Sequence, residues 1–341
     1  MNHIIVEVNP QIELMNSILY TSDHGQIVKD LMGFNPVIDI ETDYTNAVRD
    51  FFERYRSHDV YRIVETMTRD GFFLGRPMEL MCSVGRPPAF ERKYPVSELC
   101  TQLCGGEENI DTLLNALRDF SRQIGYMDFF SVVECRYDDL IEAAKKHIDR
   151  YPFVSLMENF YGKKQNSYHY IITNLSHGSF GICFLNDGRY DMFSVMTLFN
   201  VSDSEEENEQ SRGALSTNVT IHEFAHPLIN PLTERFNDLV DEYIRAYEWL
   251  KPYKQPNFRS GYGDWDECVN EHIVRAIAIY LAEKLGESGY ASMHLDYDMK
   301  LGYMYLPALL EKFRYYEKHR DTYRTIDDFY PELITVFAEQ V

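Results

Sequence analysis

The 341-residue chain has no run of 18 apolar residues, so it encodes no membrane-spanning helix. Cysteine is scarce: Cys82, Cys100, Cys104, Cys135, Cys183 and Cys268 are too few to staple a chain this long, which excludes a disulfide scaffold and predicts buried free thiols. Cys100 and Cys104 have no second Cys/His pair at structural-zinc spacing and read as core residues. Basic residues are also short, 33 against 54 acids, and a net charge of -21 repels phosphate backbones and anionic membrane surfaces. Nucleic acid is therefore not an expected partner. The opening stretch MNHIIVEVNPQIELM has no small-residue cleavage site and an acid inside its short apolar run, so it is not a signal peptide. The chain is expected to be cytoplasmic unless an export signal has been removed.

What the chain does have is a core. Hydrophobic residues make up 45% of it, with 21 Phe and 25 Tyr, enough for one large domain or two packed subdomains. From about residue 11 to 161, apolar residues recur at spacings of three and four in IELMNSILY, TNAVRDFFERYRSHDVYRIVETM, NIDTLLNALRDFSRQI and YDDLIEAAKKHIDRY, which predicts helices. YHYIITNL, SFGICFL and YDMFSVMTLFNV then turn β-branched and aromatic, punctuated by SHG and by the hairpin signal NDG, and predict a small antiparallel meander. SDSEEENEQSRG (202–213) has no apolar anchor and reads as a solvated connection. Helices are expected again at 217–229, 231–251, 265–286 and twice within 302–340. The layout is α+β and predominantly helical, with a helical region over 1–161 and a sheet-plus-helix region over 162–341, expected to pack as one unit.

The chemistry sits in TIHEFAHPLI, residues 220–229. On a helix, positions i and i+4 share a face, so His222 and His226 can aim two imidazoles at one ion while Glu223 lies to the side, where it can take a proton from a metal-activated water. The five-residue pattern alone arises by chance in about a few per cent of chains this size, so context decides. Ser216 and Thr217 can cap the helix, and Val219, Ile221, Phe224, Ala225, Leu228 and Ile229 make it apolar nearly all round, hence buried. Two histidines and a glutamate in one buried turn need partners, and a metal satisfies them together. The plainer alternative is two core histidines bonded to carbonyls, with Glu223 in solvent. Pro227 removes the amide that would bond the Glu223 carbonyl, at about 3 kcal/mol, so the helix is expected to bend or end after His226, with Pro231 opening the next.

A catalytic zinc of this kind takes a third protein ligand, and GDWDECVNEHIVRAIAIYLAEKL (263–285) offers Glu267, Glu271 and His272. Glu271 shares a face with Val274, Ala278, Leu281 and Leu285, whereas His272 points about 100° away, so Glu271 is favoured, with Arg275 at i+4 placed to hold it. Tyr262, Tyr303 and His177 are possible oxyanion donors, each set against a structural role. The meander could offer an edge strand to an extended peptide.

HEFAH followed 45 positions after its second histidine by Glu271 in NEHIVRA resembles the gluzincin arrangement of zinc metallopeptidases. With FYGKKQNSYHYIITNLSHGSFG and VNPQIELMNSIL, these blocks are similar to a bacterial family of inferred metallopeptidases classed only as a domain of unknown function. The resemblance implies zinc held by His222, His226 and Glu271, Glu223 as general base, a zincin-like active-site helix next to the sheet, and a peptide or protein substrate. The rival expectations are a binding or scaffold protein whose metal is structural or absent, and a zinc hydrolase of non-peptide amides or esters.

Overall fold

A computed structural model describes residues 3–38, 40–198, 215–253 and 263–340. Its residues fall into two compact units, each assembled from separated stretches: one from Ile4–Lys146 and Ser167–Ala214, the other from His147–Asn166 and Leu215–Val341. The strands belong with the N-terminal helices because β1 (Ile4–Val8) pairs in parallel with β2 (Ser167–Thr173), tying the first residues to a segment far along the chain.

The sheet has the order β1-β2-β4-β3, with β3 at Phe180–Asn186 and β4 at Arg189–Thr197. The expected antiparallel meander holds only for the β3-β4 hairpin, where Asn186 faces Arg189 across Asp187 and Gly188. Both turn residues have positive φ, 49° and 79°, as the Asn-Asp-Gly signal requires. β2 does not pair with β3 but lies parallel to β4, so the sheet is mixed. Burial explains the order. β4 is buried from Asp191 to Thr197 and β2 from Tyr170 to Thr173, so both need neighbours on each side, while β3 ends exposed at Leu185 and takes an edge.

Helices of the same unit include α1 (Pro10–Thr21), which starts on a proline at its first turn and buries Ile12, Leu14, Met15 and Ile18 completely. On that buried surface Glu13 is 1% exposed. Its Oε2 lies 2.6 Å from the Tyr44 hydroxyl and 2.5 Å from that of Tyr137, and the Tyr137 hydroxyl is also 2.8 Å from Asn174 Oδ1. Cys82, Cys100 and Cys104 of this unit are free and buried, as expected of core thiols, whereas Cys135 is exposed.

In the second unit, α2 (Thr217–Arg235) and α3 (Trp265–Lys284) are followed by α4 (Ser288–Leu301) and α5 (Leu306–Lys318). Residues 147–166 belong here because Phe160 packs its ring against Tyr280, Phe313 and Tyr316, and the Tyr316 hydroxyl donates to the Phe160 carbonyl at 2.9 Å. Ser216 caps α2 by accepting from the Val219 amide at 3.1 Å. The helix does not end after His226, one of the two expected outcomes: α2 runs through Pro227 and Pro231. Two interior prolines cost about 6 kcal/mol. Ile221, Phe224 and Ile229 are fully buried and Leu228 nearly so, and at about 1.5–3 kcal/mol each their burial on a continuous helix offsets that cost. α4 was not expected from the sequence, which was given no element between 286 and 302.

Among the described residues no helix is long and apolar enough to cross a membrane.

Candidate metal centre

α2 and α3 carry the site. Thr233 of α2 donates to Asn270 of α3 and also bonds Tyr330, which fixes the register of the two helices one residue before Glu271. At the start of α3 the Asp264 carboxylate caps the Glu267 amide at 2.8 Å, and the Trp265 indole donates to the Val240 carbonyl at 2.9 Å. Glu271 is thereby delivered to the face of α2 that presents the histidines.

His222, His226 and Glu271 converge, and the cluster could hold a metal ion. The two Nε2 atoms are 3.0 Å apart; His226 Nε2 lies 3.4 Å from Glu271 Oε1, and His222 Nε2 lies 3.9 Å from Oε2. A cation bound about 2.1 Å from each of three tetrahedrally disposed donors separates those donors by about 3.4 Å; the two Nε2 atoms at 3.0 Å and His226 Nε2 with Glu271 Oε1 at 3.4 Å come close to this, and one ligand atom from each residue lies within 4.8 Å of the others. The side chains are 13%, 16% and 10% exposed, so the cluster is largely withdrawn from solvent.

The tautomer suits the task. His226 Nδ1 lies 3.3 Å from Asn230 Oδ1 one turn on, so Nδ1–H donates there and Nε2 turns its lone pair toward the cluster when the ring is neutral. In the metal-free site burial pushes His226 down, but the hydrogen bond and charge of Glu271, with Glu223 behind it, outweigh that and place it at about 8. Burial and the neighbouring His226 charge hold His222 well below the usual histidine range. Burial would raise the Glu271 carboxyl, yet the Arg275 guanidinium, followed by His226 and His222, keeps it far below the ordinary carboxylate range. The site therefore holds a permanent carboxylate beside two imidazoles, one of which must release its proton to bind a cation.

Arg275 is where the helix spacing placed it. Its Nε and Nη2 approach Glu271 Oε2 at 3.1 and 3.0 Å, and its Cζ lies 4.3 Å from the centre of the Tyr303 ring. The residue missed by sequence reasoning is Asp298 of α4, whose Oδ1 accepts from Arg275 Nη1 at 2.9 Å. Its signal was faint: an acid four residues before Gly302, whose φ of 113° ends α4 and returns the chain to Tyr303 beneath Arg275.

The other candidates go elsewhere. Glu267 accepts the Gly263 amide at 2.9 Å, and His272 bonds the Cys268 carbonyl at 2.8 Å with its ring against Tyr303, Tyr305 and Phe337. Glu223 is 6% exposed on α2, directly after His222. Tyr303 is fully buried as a platform for Arg275. His177 belongs to the sheet unit, where its amide donates to the Pro36 carbonyl at 2.8 Å. Tyr262 and the acidic stretch 202–213 lie outside the described residues.

The chain belongs to the family described as a domain of unknown function (DUF4932), whose family model matches residues 4–336. No curated protein and no solved structure matches it.

Proposed function

We propose that the protein is a zinc-dependent hydrolase, most simply a metallopeptidase, with the ion held by His222, His226 and Glu271 and with Glu223 as general base. The observation that carries the reading is the convergence of two imidazole nitrogens and one carboxylate from α2 and α3 within 3.0–3.9 Å of one another. Nitrogen and carboxylate donors suit zinc, and three protein ligands leave a fourth position for solvent, which a closed structural site would not.

Zinc, when bound, supplies Lewis acidity toward a water and toward the carbonyl oxygen of the substrate. The chain's own groups do the rest. Asn230 orients the His226 ring, and Arg275 keeps Glu271 ionised. Glu223 accepts the proton of the attacking water on its carboxylate, then gives it to the nitrogen of the departing amine. Proton transfer of this kind contributes about 10²- to 10⁴-fold in rate.

The test combines two measurements. Metal content of protein purified without chelators should be close to one zinc per chain, and a broad peptide library should be cleaved by wild type but about 10²- to 10⁴-fold more slowly by Glu223→Gln that keeps its zinc. Full activity in zinc-loaded Glu223→Gln would sink the assignment. Zinc without any peptide cleavage would turn the reading toward a structural metal, or toward esters and non-peptide amides.

A further inference from the structure

A buried ion pair is usually costly unless its geometry is tight. Here three charges, Glu271, Arg275 and Asp298, sit with side chains 10%, 17% and 3% exposed, and they sum to one negative charge beside two imidazoles. The arrangement is directional as well as charged. Arg275 spends Nε and Nη2 on a single oxygen, Glu271 Oε2, and spends Nη1 on Asp298 Oδ1, while the Tyr303 ring closes the face of the guanidinium. Glu271 Oε1 faces His226 at 3.4 Å, whereas Oε2, held by Arg275, stands farther from the imidazoles, 3.9 Å from His222 Nε2.

From this we infer that Asp298 is a positioning residue of the metal centre: by anchoring Arg275 it occupies Glu271 Oε2 and presents Oε1 alone to the ion. The inference rests on the metal site proposed above, not on the reaction proposed for it. Arg275 follows Glu271 by one turn on α3, and its long side chain carries about 2 kcal/mol of rotamer freedom. Helix spacing alone does not hold it against the carboxylate. Asp298 comes from a different helix and removes that freedom. With Arg275 released, Glu271 can turn both oxygens to the cation, which raises its coordination from four to five. The net negative charge that Asp298 restores also favours a divalent cation over an empty site.

The test uses the full chain, with zinc affinity measured by competition against a chromophoric chelator and with the visible spectrum of the cobalt(II)-loaded protein. Asp298→Ala should weaken zinc binding about 10- to 100-fold, the range found for partners of metal ligands, and Asp298→Asn should do so less. Both should weaken the cobalt(II) bands as coordination rises from four to five. Arg275→Lys, which keeps the charge but loses the planar fork that joins the two carboxylates, should reproduce the spectral change. If Asp298→Ala fails to fold, as judged by circular dichroism, Asp298→Asn carries the test because it keeps the shape. Wild-type affinity and an unaltered cobalt spectrum in a folded Asp298 variant overturn the inference. Wild-type protein that takes up neither ion removes the site and the inference together. An affinity loss in the Asp298 variants of a protein that hydrolyses nothing supports the inference and removes only the hydrolase reading.

Discussion

Each unit buries a glutamate, and the two are handled in opposite ways. Glu13, 1% exposed on α1, is surrounded by Tyr44, Tyr137 and Asn174, groups that carry no charge; Glu271, 8% exposed on α3, meets two imidazoles and a guanidinium. Burial raises the Glu13 carboxyl, and the hydrogen bonds from Thr173, Tyr137 and Tyr44 only partly oppose it. Proton counting agrees. Tyr137 has one hydroxyl hydrogen for Glu13 Oε2 at 2.5 Å and Asn174 Oδ1 at 2.8 Å, and a protonated Glu13 resolves this by donating to Tyr137. Low exposure therefore does not mark a reactive site. What distinguishes the Glu271 cluster is two imidazole nitrogens gathered at the carboxylate and a guanidinium that holds its pKa down.

Substitution at the two positions tests that contrast most strongly. Glu271→Gln should lose stoichiometric metal binding and, by removing one of the two carboxylates that pair with Arg275, cost about 3 kcal/mol in urea unfolding of the metal-free protein. His222→Ala should also lose the metal but spare the ion pair, so its cost in the metal-free protein should be smaller. If metal binding survives Glu271→Gln, the contrast fails at its root.

Acid should weaken both units by a similar mechanism, which has nothing to do with the metal. His24 of the sheet unit, 2% exposed with Nδ1 2.9 Å from Thr68 Oγ1, is pushed by burial to about 4. His147 of the second unit, whose Nε2 is 3.0 Å from Thr220 Oγ1, is also pushed to about 4 by burial, with Arg150 adding and Glu287 opposing. Both folded values lie below the unfolded value near 6.5, so protonation favours unfolding. Their stabilisation is complete above about pH 6.5 and falls as pH drops toward 4, by about 2 kcal/mol per histidine at pH 5. Chelated protein unfolded in urea at pH 7 and pH 5 checks the sign, and His24→Gln should remove part of the dependence. A flat profile in the chelated protein would show that acid acts only through the metal cluster.

The smallest effect should come from Glu13→Gln, which keeps the shape of a group whose neutral form burial favours. It should leave metal affinity unchanged and cost about 1 kcal/mol or less. A loss as large as that of Glu271→Gln would mean that Glu13 is ionised, and the distinction between the two units would collapse.

The sequence made the metal helices legible because their signals are local. Two histidines at i and i+4, an apolar surround, and a glutamate on the stripe of Val274 and Ala278 are read from helix geometry alone, as is the Asp187-Gly188 hairpin. It could not show that β1 pairs with β2, since side-chain alternation specifies which face is buried and not which strand lies alongside. Pro227 misled because its cost is local whereas the burial that offsets it depends on the partner helix. α4 escaped because its Tyr290, Met293 and Tyr297 are partly exposed and only Ala291 and Asp298 are buried, which leaves little periodic contrast to detect. With α4 went the Asp298 contact to Arg275.

The interleaving of the two units sets an order of events on the ribosome. Ile4 pairs with Tyr168, so the first strand emerges and waits for its partner through the synthesis of 164 residues, roughly 8 to 30 s at ordinary elongation rates. The segment around Phe160 appears before β2 yet waits for Tyr280, Phe313 and Tyr316. The nascent chain can thus close its sheet while α2 and α3 are still unmade, and the cluster of His222, His226 and Glu271 is complete only once α3 has emerged.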